Sequence, residues 1–448
     1  MNERERYFAR VAPLLGEGLS RFRVRCIGDT HVAELLASCR LRSFPGASAP
    51  LREALTWRNG FERFDFADGH TDATLIAEAG EHACARWDGA IVHLTLPRDA
   101  VRARFVTNAV ARELRDALLG RAAFPSGVRH YGDARWPFAV AAEAPAQASF
   151  AHAFAGQHVL VVGAGSVGSE IARLLAATAA RLTIVDAAAV SVFNPQRQWF
   201  STEEIGRAKV TALRDRIGAE RVRAVPIAAD ATFLDGLLRS DRPDVCVLAT
   251  GTHHHQALAR VLSWHGVPHV ACCAYPQARF FEVLAVDPAG GTPCYDCFRG
   301  HIHRGVQSRP ALSDEVSQFL YMEPDQAKRD ATYVDLVAEP ASAIETGRVA
   351  DVAMACVTEL ARKQRGAWFL RALADQTTCF IGGNTVDVRD GAPAYGISRP
   401  GQVVRLGLDD LAGSDRACET CGRTLVAAHA LQLPATPDED AALLRITT

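Results

Sequence analysis

Between residues 158 and 190 the chain reads HVLVVGAGSVGSEIARLLAATAARLTIVDAAAV. An unbroken apolar run, a glycine-rich interruption, apolar positions at helical spacing and a second unbroken apolar run follow one another. That pattern predicts a buried strand, a tight turn, an amphipathic helix and another buried strand. Downstream, VCVLATG (245–251) and HVACCAY (269–275) predict two more buried strands, with QALARVLSW as the helix between them. Upstream, AIVHLTL (90–96) predicts a strand and the run from Arg102 to Leu119 a helix. The small-residue stretch AAEAPAQASFAHAFAGQ (141–157) predicts a connector.

Two units are expected. Residues 1–128 spread apolar residues throughout, as a folded N-terminal α+β domain does, and show no motif that reveals a role. Residues 129–448 alternate strand and helix, the signature of a doubly wound, mostly parallel, Rossmann-like α/β sheet.

Length and composition agree. A chain of 448 residues exceeds what one core usually organises. With 48% hydrophobic and 22% charged residues and no membrane-length apolar run, it reads as globular and not membrane-spanning. A net charge of -2 argues against a nucleic-acid partner. The opening MNERERYFARV lacks a secretory apolar segment, so a cytoplasmic location is expected. The twelve cysteines are then thiols or metal ligands.

Gly163, Gly165 and Gly168 form GxGxxG between the first strand and its helix. The first glycine permits the turn, the second lets phosphates approach the backbone, and the third lets helix and strand pack closely. Asp186 ends the next strand, where a carboxylate can accept from ribose hydroxyls. NAD, FAD and ATP sites share these features, so a dehydrogenase remains open at this point. The next segment, VSVFNPQRQWFSTEEIGRAKV, brings Arg197 and Lys209 close in sequence. Hydride transfer has no use for such cations. Attack of a carboxylate on the α-phosphorus of ATP does, because charge builds on the phosphoryl oxygens and the departing pyrophosphate.

Asp186, Val190, Asn194, Arg197, Gln198, Gly206 and Lys209 together resemble the signature of the ThiF/MoeB/HesA family, which includes the activating enzymes of ubiquitin-like proteins. The resemblance covers roughly 129–448. It implies ATP-dependent adenylation of the C-terminal glycine of a small ubiquitin-like or sulfur-carrier protein, with Mg2+, and with Asp186 on the ribose and Arg197 and Lys209 on the phosphates. Asn194 and Gln198 belong to the same nucleotide set. The family also implies a homodimer in which an arginine upstream of the fold, here Arg135, reaches the γ-phosphate in a neighbouring subunit. A conjugating enzyme would be a further partner. A relative that adenylates or presents a ribosomal peptide, and a non-catalytic scaffold, are the alternatives.

Cys294 and Cys297, with Cys418 and Cys421, make a CxxC…CxxC set that predicts a structural Zn2+ site, because four thiolates leave no open position for catalysis. Two features depart from the family. Gly251, in VLATGTHHH, stands where relatives place an aspartate near magnesium. Residues 298–355 hold no cysteine for a thioester, leaving Cys272, Cys273 and Cys379 as the remaining candidates, while Cys356 reads as core. His253, His254 and His255 read as a helix start or substrate lining rather than a metal site.

Overall fold

The computed structural model describes residues 17–28, 31–39, 41–59, 63–131, 140–141, 153–192, 194–250, 252–274, 280–289, 292–297, 343–362, 379–383, 403–406 and 418–421. Arg135 and Gly251 lie outside these residues, as does most of the connector expected at 141–157.

The first part of the chain builds a six-stranded mixed sheet from β1 (Val24–Ile27), β2 (Ala73–Gly80), β3 (Cys84–Asp88), β4 (Ile91–Pro97), β5 (Gly127–Tyr131) and β6 (Val140–Ala141), in the order β1-β2-β4-β3-β5-β6. The β1–β2 and β2–β4 pairs are parallel and the others antiparallel. Residue 128 falls inside β5, and the sheet runs on to Ala141. Among the described residues three α-helices accompany it: α1 (His31–Ser38), α2 (Ala49–Asn59) and α3 (Ala100–Leu118). The apolar positions of these strands and helices, among them Leu75, Val92, Leu94, Leu35 and Leu114, share one core. Asp99 caps α3, its Oδ1 accepting from the backbone N–H groups of Val101 and Arg102, both at 3.1 Å.

The second sheet has eight strands: β7 (His158–Val162), β8 (Arg181–Val185), β9 (Val222–Val225), β10 (Val245–Leu248), β11 (His269–Ala274), β12 (Phe280–Val286), β13 (Cys379–Gly383) and β14 (Val403–Leu406). Their order is β14-β13-β12-β11-β10-β7-β8-β9. The five strands β9, β8, β7, β10 and β11 are parallel, and β12 to β14 extend the sheet antiparallel. Among the described residues five helices belong to this half: α4 (Ser166–Ala176), α5 (Lys209–Ile217), α6 (Ala231–Ser240), α7 (Thr252–Trp264) and α8 (Ala343–Arg362).

Both faces of the parallel strands are covered, which is why their sequences are unbroken apolar runs rather than alternations. Val159, Val161, Leu182, Ile184, Val245 and Val247 meet α4, α5 and α8. Leu160, Val162, Val185, Cys246 and Leu248 meet α6 and α7 on the other side. The sheet is therefore doubly wound.

The two halves join along α3, α4 and α8 through buried polar contacts. Arg104 donates from Nε to Glu170 Oε1 at 2.6 Å, and Asn108 donates from Nδ2 to Asp351 Oδ2 at 2.7 Å. Arg115 pairs with Glu345, and the backbone N–H of Ala343 donates to Ser38 Oγ at 3.1 Å. Burial pulls the Arg104 guanidinium down to about 10 even beside its carboxylate, and pushes the Asp351 carboxyl well above its usual range. No helix among the described residues is long and apolar enough to cross a membrane.

Candidate nucleotide site and candidate zinc centre

Strand order reverses between β7 and β10: the chain leaves β7 towards β8 and β9, whereas β10 and β11 lie on its other side. Crevices beyond the carboxyl ends of such strands are where open α/β sheets take ligands. The glycine loop occupies that point, and its three glycines do three different things. Gly163 holds φ +96°, and a Cβ there would stand 2.5 Å from the Ala249 carbonyl oxygen at the end of β10. A Cβ on Gly168 would stand 1.9 Å from the Gly163 oxygen, so α4 can pack against the loop only without one. Gly165, at φ -76°, precedes α4 as its cap residue without a side-chain bond, and a Cβ on it would meet nothing within 4 Å. The open space is therefore in front of the N-terminus of α4, whose unpaired N–H groups and positive dipole end favour an anion.

Asp186 follows β8 directly and is bound into this loop. Its Oδ2 accepts the backbone N–H of Ala164 at 2.6 Å and its Oδ1 that of Ala188 at 2.7 Å. Each oxygen keeps a further acceptor site for a hydroxyl.

Asn194 is buried and acts locally: its Oδ1 accepts from Ser191 N at 2.9 Å, and its carbonyl accepts from Arg197 N at 3.1 Å and Gln198 N at 2.8 Å. The turn so formed carries Arg197 and Gln198, and it is fastened to α4 by the Trp199 N–H, which donates to Ser169 Oγ at 3.2 Å. Gln198 is buried, and its Oε1 has no hydrogen-bond partner among the described residues. The chain then doubles back. Across the return Val190 N donates to Arg207 O and Val190 O accepts from Gly206 N, both at 2.8 Å, and Gly206 adopts φ +88°. Lys209 N donates to Ala188 O at 3.0 Å, which sets the mostly buried Lys209 at the start of α5, one residue's bonding away from Asp186. The structure thus gathers the glycine loop, Asp186, the Arg197 turn and Lys209 into one bonded group. Ser169 and Trp199, which fasten that group, carry no pattern that sequence reading could have used.

His255 is buried in the first turn of α7, where the triplet was expected to start a helix, and His254 is exposed. Cys272 is buried in β11, and burial pushes both it and Cys273 up, the opposite of what an activated nucleophile needs. Cys356 is core within α8. Cys379 lies in β13.

The Cys294–Cys297 segment, where a helix begins, and the turn at Cys418–Cys421 face one another. The Cys294 sulfur lies 3.8 Å from that of Cys297 and 3.5 Å from that of Cys418, and Cys297 and Cys421 are 3.6 Å apart. All four sulfurs lie within 4.8 Å of one another. A zinc–sulfur bond of about 2.3 Å gives a tetrahedron with edges of about 3.8 Å, so this cage fits zinc and leaves no free position. Without a cation the thiols cannot all ionise: a hydrogen bond from Cys297 draws Cys294 down to about 5 while Cys297 itself moves up. Asp296, between the first two cysteines, accepts from Gln256 at 2.7 Å and Arg260 at 2.6 Å on α7, and from Thr420 in the facing turn. Burial opposes its ionisation, but these donors hold its carboxyl below the usual range.

The ThiF family model matches residues 144–362. Residues 144–362 are a ThiF-family domain. Strands β7 to β12 and helices α4 to α8 fall within it, and the sheet has the Rossmann-like fold of that family. A search of curated proteins gives no match. Among solved structures, E. coli MccB with MccA-N7isoASN is 15% identical over 61% of this chain and 69% of that one, with TM-score 0.41. The microcin C7 biosynthetic enzyme MccB with N-formylated MccA is 13% identical over 73% and 77%, with TM-score 0.42. PaaA is 18% identical over 53% and 72%, with TM-score 0.38.

Proposed function

We propose that the protein uses ATP to adenylate the C-terminal carboxylate of a polypeptide, the first acceptor to test being a small ubiquitin-like or sulfur-carrier protein ending in glycine. A carboxylate oxygen attacks the α-phosphorus, an acyl-adenylate forms and pyrophosphate leaves. The observation that carries this reading is the vacant space before Gly165 at the N-terminus of α4, with Asp186 hydrogen-bonded into the same loop and two cationic side chains, Arg197 and Lys209, on segments bonded to it. Backbone N–H groups would take the phosphates, Asp186 the ribose, and Arg197 and Lys209 the charge that grows on the departing pyrophosphate. Gly163 and Gly168 keep the loop close to β10 and α4; Asn194 shapes the arginine turn and Gln198 presents an amide to the nucleotide.

Mg2+ would enter with the triphosphate, on its oxygens. Zn2+ would sit among Cys294, Cys297, Cys418 and Cys421 as a staple. A homodimer with Arg135 crossing to the partner, a conjugating enzyme downstream and a cytoplasmic, thiol-reducing location complete the reading.

The test is ATP–pyrophosphate exchange by the purified chain against a panel of acceptors. Exchange that needs a small protein ending in glycine supports the first acceptor, and exchange with a short peptide moves the acceptor to that class. Failure to bind ATP, or binding of NAD in its place, overturns the reading.

A further inference from the structure

Trp199 ends the turn that presents Arg197 and Gln198, and its ring lies within cation–π range of two guanidinium groups: Arg216 at 4.9 Å and Arg173 at 5.8 Å from the ring centroid. Both arginines lead back to the N-terminal sheet unit. Arg216 lies 4.3 Å from the ring centroid of Trp57 in α2, and Arg173 Nη1 lies 3.7 Å from Glu34 Oε2 in α1. Arg216 also donates to the Trp199 carbonyl and pairs with Glu204, next to the turn. Its side chain is only 14% exposed, so these contacts are poorly screened by water. The arginine-bearing turn has no regular secondary structure of its own. Beside α4 it is held by the bond from Trp199 N to Ser169, by the fully buried Phe200 that follows it, and by the contacts of this pair of arginines.

We propose that Trp57 and Glu34 are positioning residues for the nucleotide site: through Arg216 and Arg173 they hold the Arg197–Gln198 turn against the glycine loop. The N-terminal sheet unit is then a working part of the adenylation site rather than an appended module. Neither residue touches nucleotide; both act through an arginine and through Trp199. The kinetic consequence rests on the adenylation reading above, whereas the mechanical one does not.

Two measurements on the full chain separate them. Amide hydrogen exchange across residues 197–200 reads the turn directly, and the ATP KM in pyrophosphate exchange reads its use. Trp57→Ala should speed amide exchange there and raise the KM about 2- to 30-fold, the range set by loss of one cation–π contact, with kcat less affected. Trp57→Phe keeps an aromatic face and should restore both values towards the unsubstituted protein. Glu34→Gln, which removes no packing volume, should move both in the same direction by less, and it serves as the test should Trp57→Ala fail to fold. Unchanged amide protection in Trp57→Ala and Glu34→Gln overturns the proposal, as does equal behaviour of the Ala and Phe variants. If the unsubstituted protein neither exchanges pyrophosphate nor binds ATP, the adenylation reading fails while the amide measurement still decides the brace.

Discussion

The Asp186 carboxylate accepts the backbone N–H of Ala164, inside the glycine loop, at 2.6 Å. Its other oxygen takes the N–H of Ala188, so one side chain links the turn after β7 to the segment after β8. Asp186→Asn offers one oxygen where two donors wait, and an amide N–H would face a backbone N–H. The substitution should cost about 1–3 kcal/mol of stability, seen as a lower denaturant midpoint, and should weaken ATP binding. A variant as stable as the parent would mean the two bonds are dispensable.

Gly165 and Gly168 should respond oppositely to the same change. Gly168→Ala puts a methyl group 1.9 Å from a backbone oxygen and should destabilise by roughly 1–3 kcal/mol or more. Gly165→Ala meets no protein atom within 4 Å, so thermal stability should hold while affinity for ATP falls, the methyl intruding on the phosphates instead. Calorimetry alongside ATP titration distinguishes the two; loss of stability without loss of affinity at Gly165 would place the ligand elsewhere.

Lys209→Ala should slow pyrophosphate exchange by about 10²–10³-fold, the scale of losing one donor aimed at developing charge. A rate unchanged by this substitution would remove the lysine from the phosphates.

Metal analysis should find one zinc per chain, and Cys418→Ser should lose it. The cage holds the Asp296 turn against α7, so chelation should lower the thermal midpoint rather than merely silence activity. A chain that folds equally well without metal would count against a structural role.

Two buried imidazoles set an acid limit. Burial lowers His255 from 6.5 to about 3 and His269 from 6.5 to about 4. Both stay neutral in the folded chain while the unfolded chain takes up protons, so stability should be fully present above about pH 6.5 and decline as the pH falls towards the folded values. Around pH 5 each should cost on the order of 2 kcal/mol. Denaturant titrations at several pH values check this, and His255→Phe, which keeps a ring against Tyr295, should flatten the slope.

The second sheet is more legible than the first because its strands are buried on both faces and announce themselves as unbroken apolar runs such as VLVV and VCVL. The glycine spacing, Asp186 and the cysteine pairs are short-range patterns, and the structure ties Asp186 into the glycine loop and brings the four sulfurs within 4.8 Å of one another. What sequence does not carry is long-range. Nothing in the residues around Trp57 or Glu34 points to Arg216 and Arg173, which lie more than a hundred positions away. Likewise the run from Arg102 to Leu119 reads as a helix, but nothing in it shows that its polar residues Arg104, Asn108 and Arg115 are buried, because a second folded unit covers that face.

The Cys294–Cys297 and Cys418–Cys421 pairs face one another across four sulfurs, and α8 lies between them in sequence, so a metal held there would tie together the two ends of the stretch that carries α8. Because α8 lies over α4 and carries Asp351 to α3, release of that tie would loosen the layer that seats the glycine helix from behind. Loss of the metal should then be felt at the glycine loop, through slack in the helices behind it.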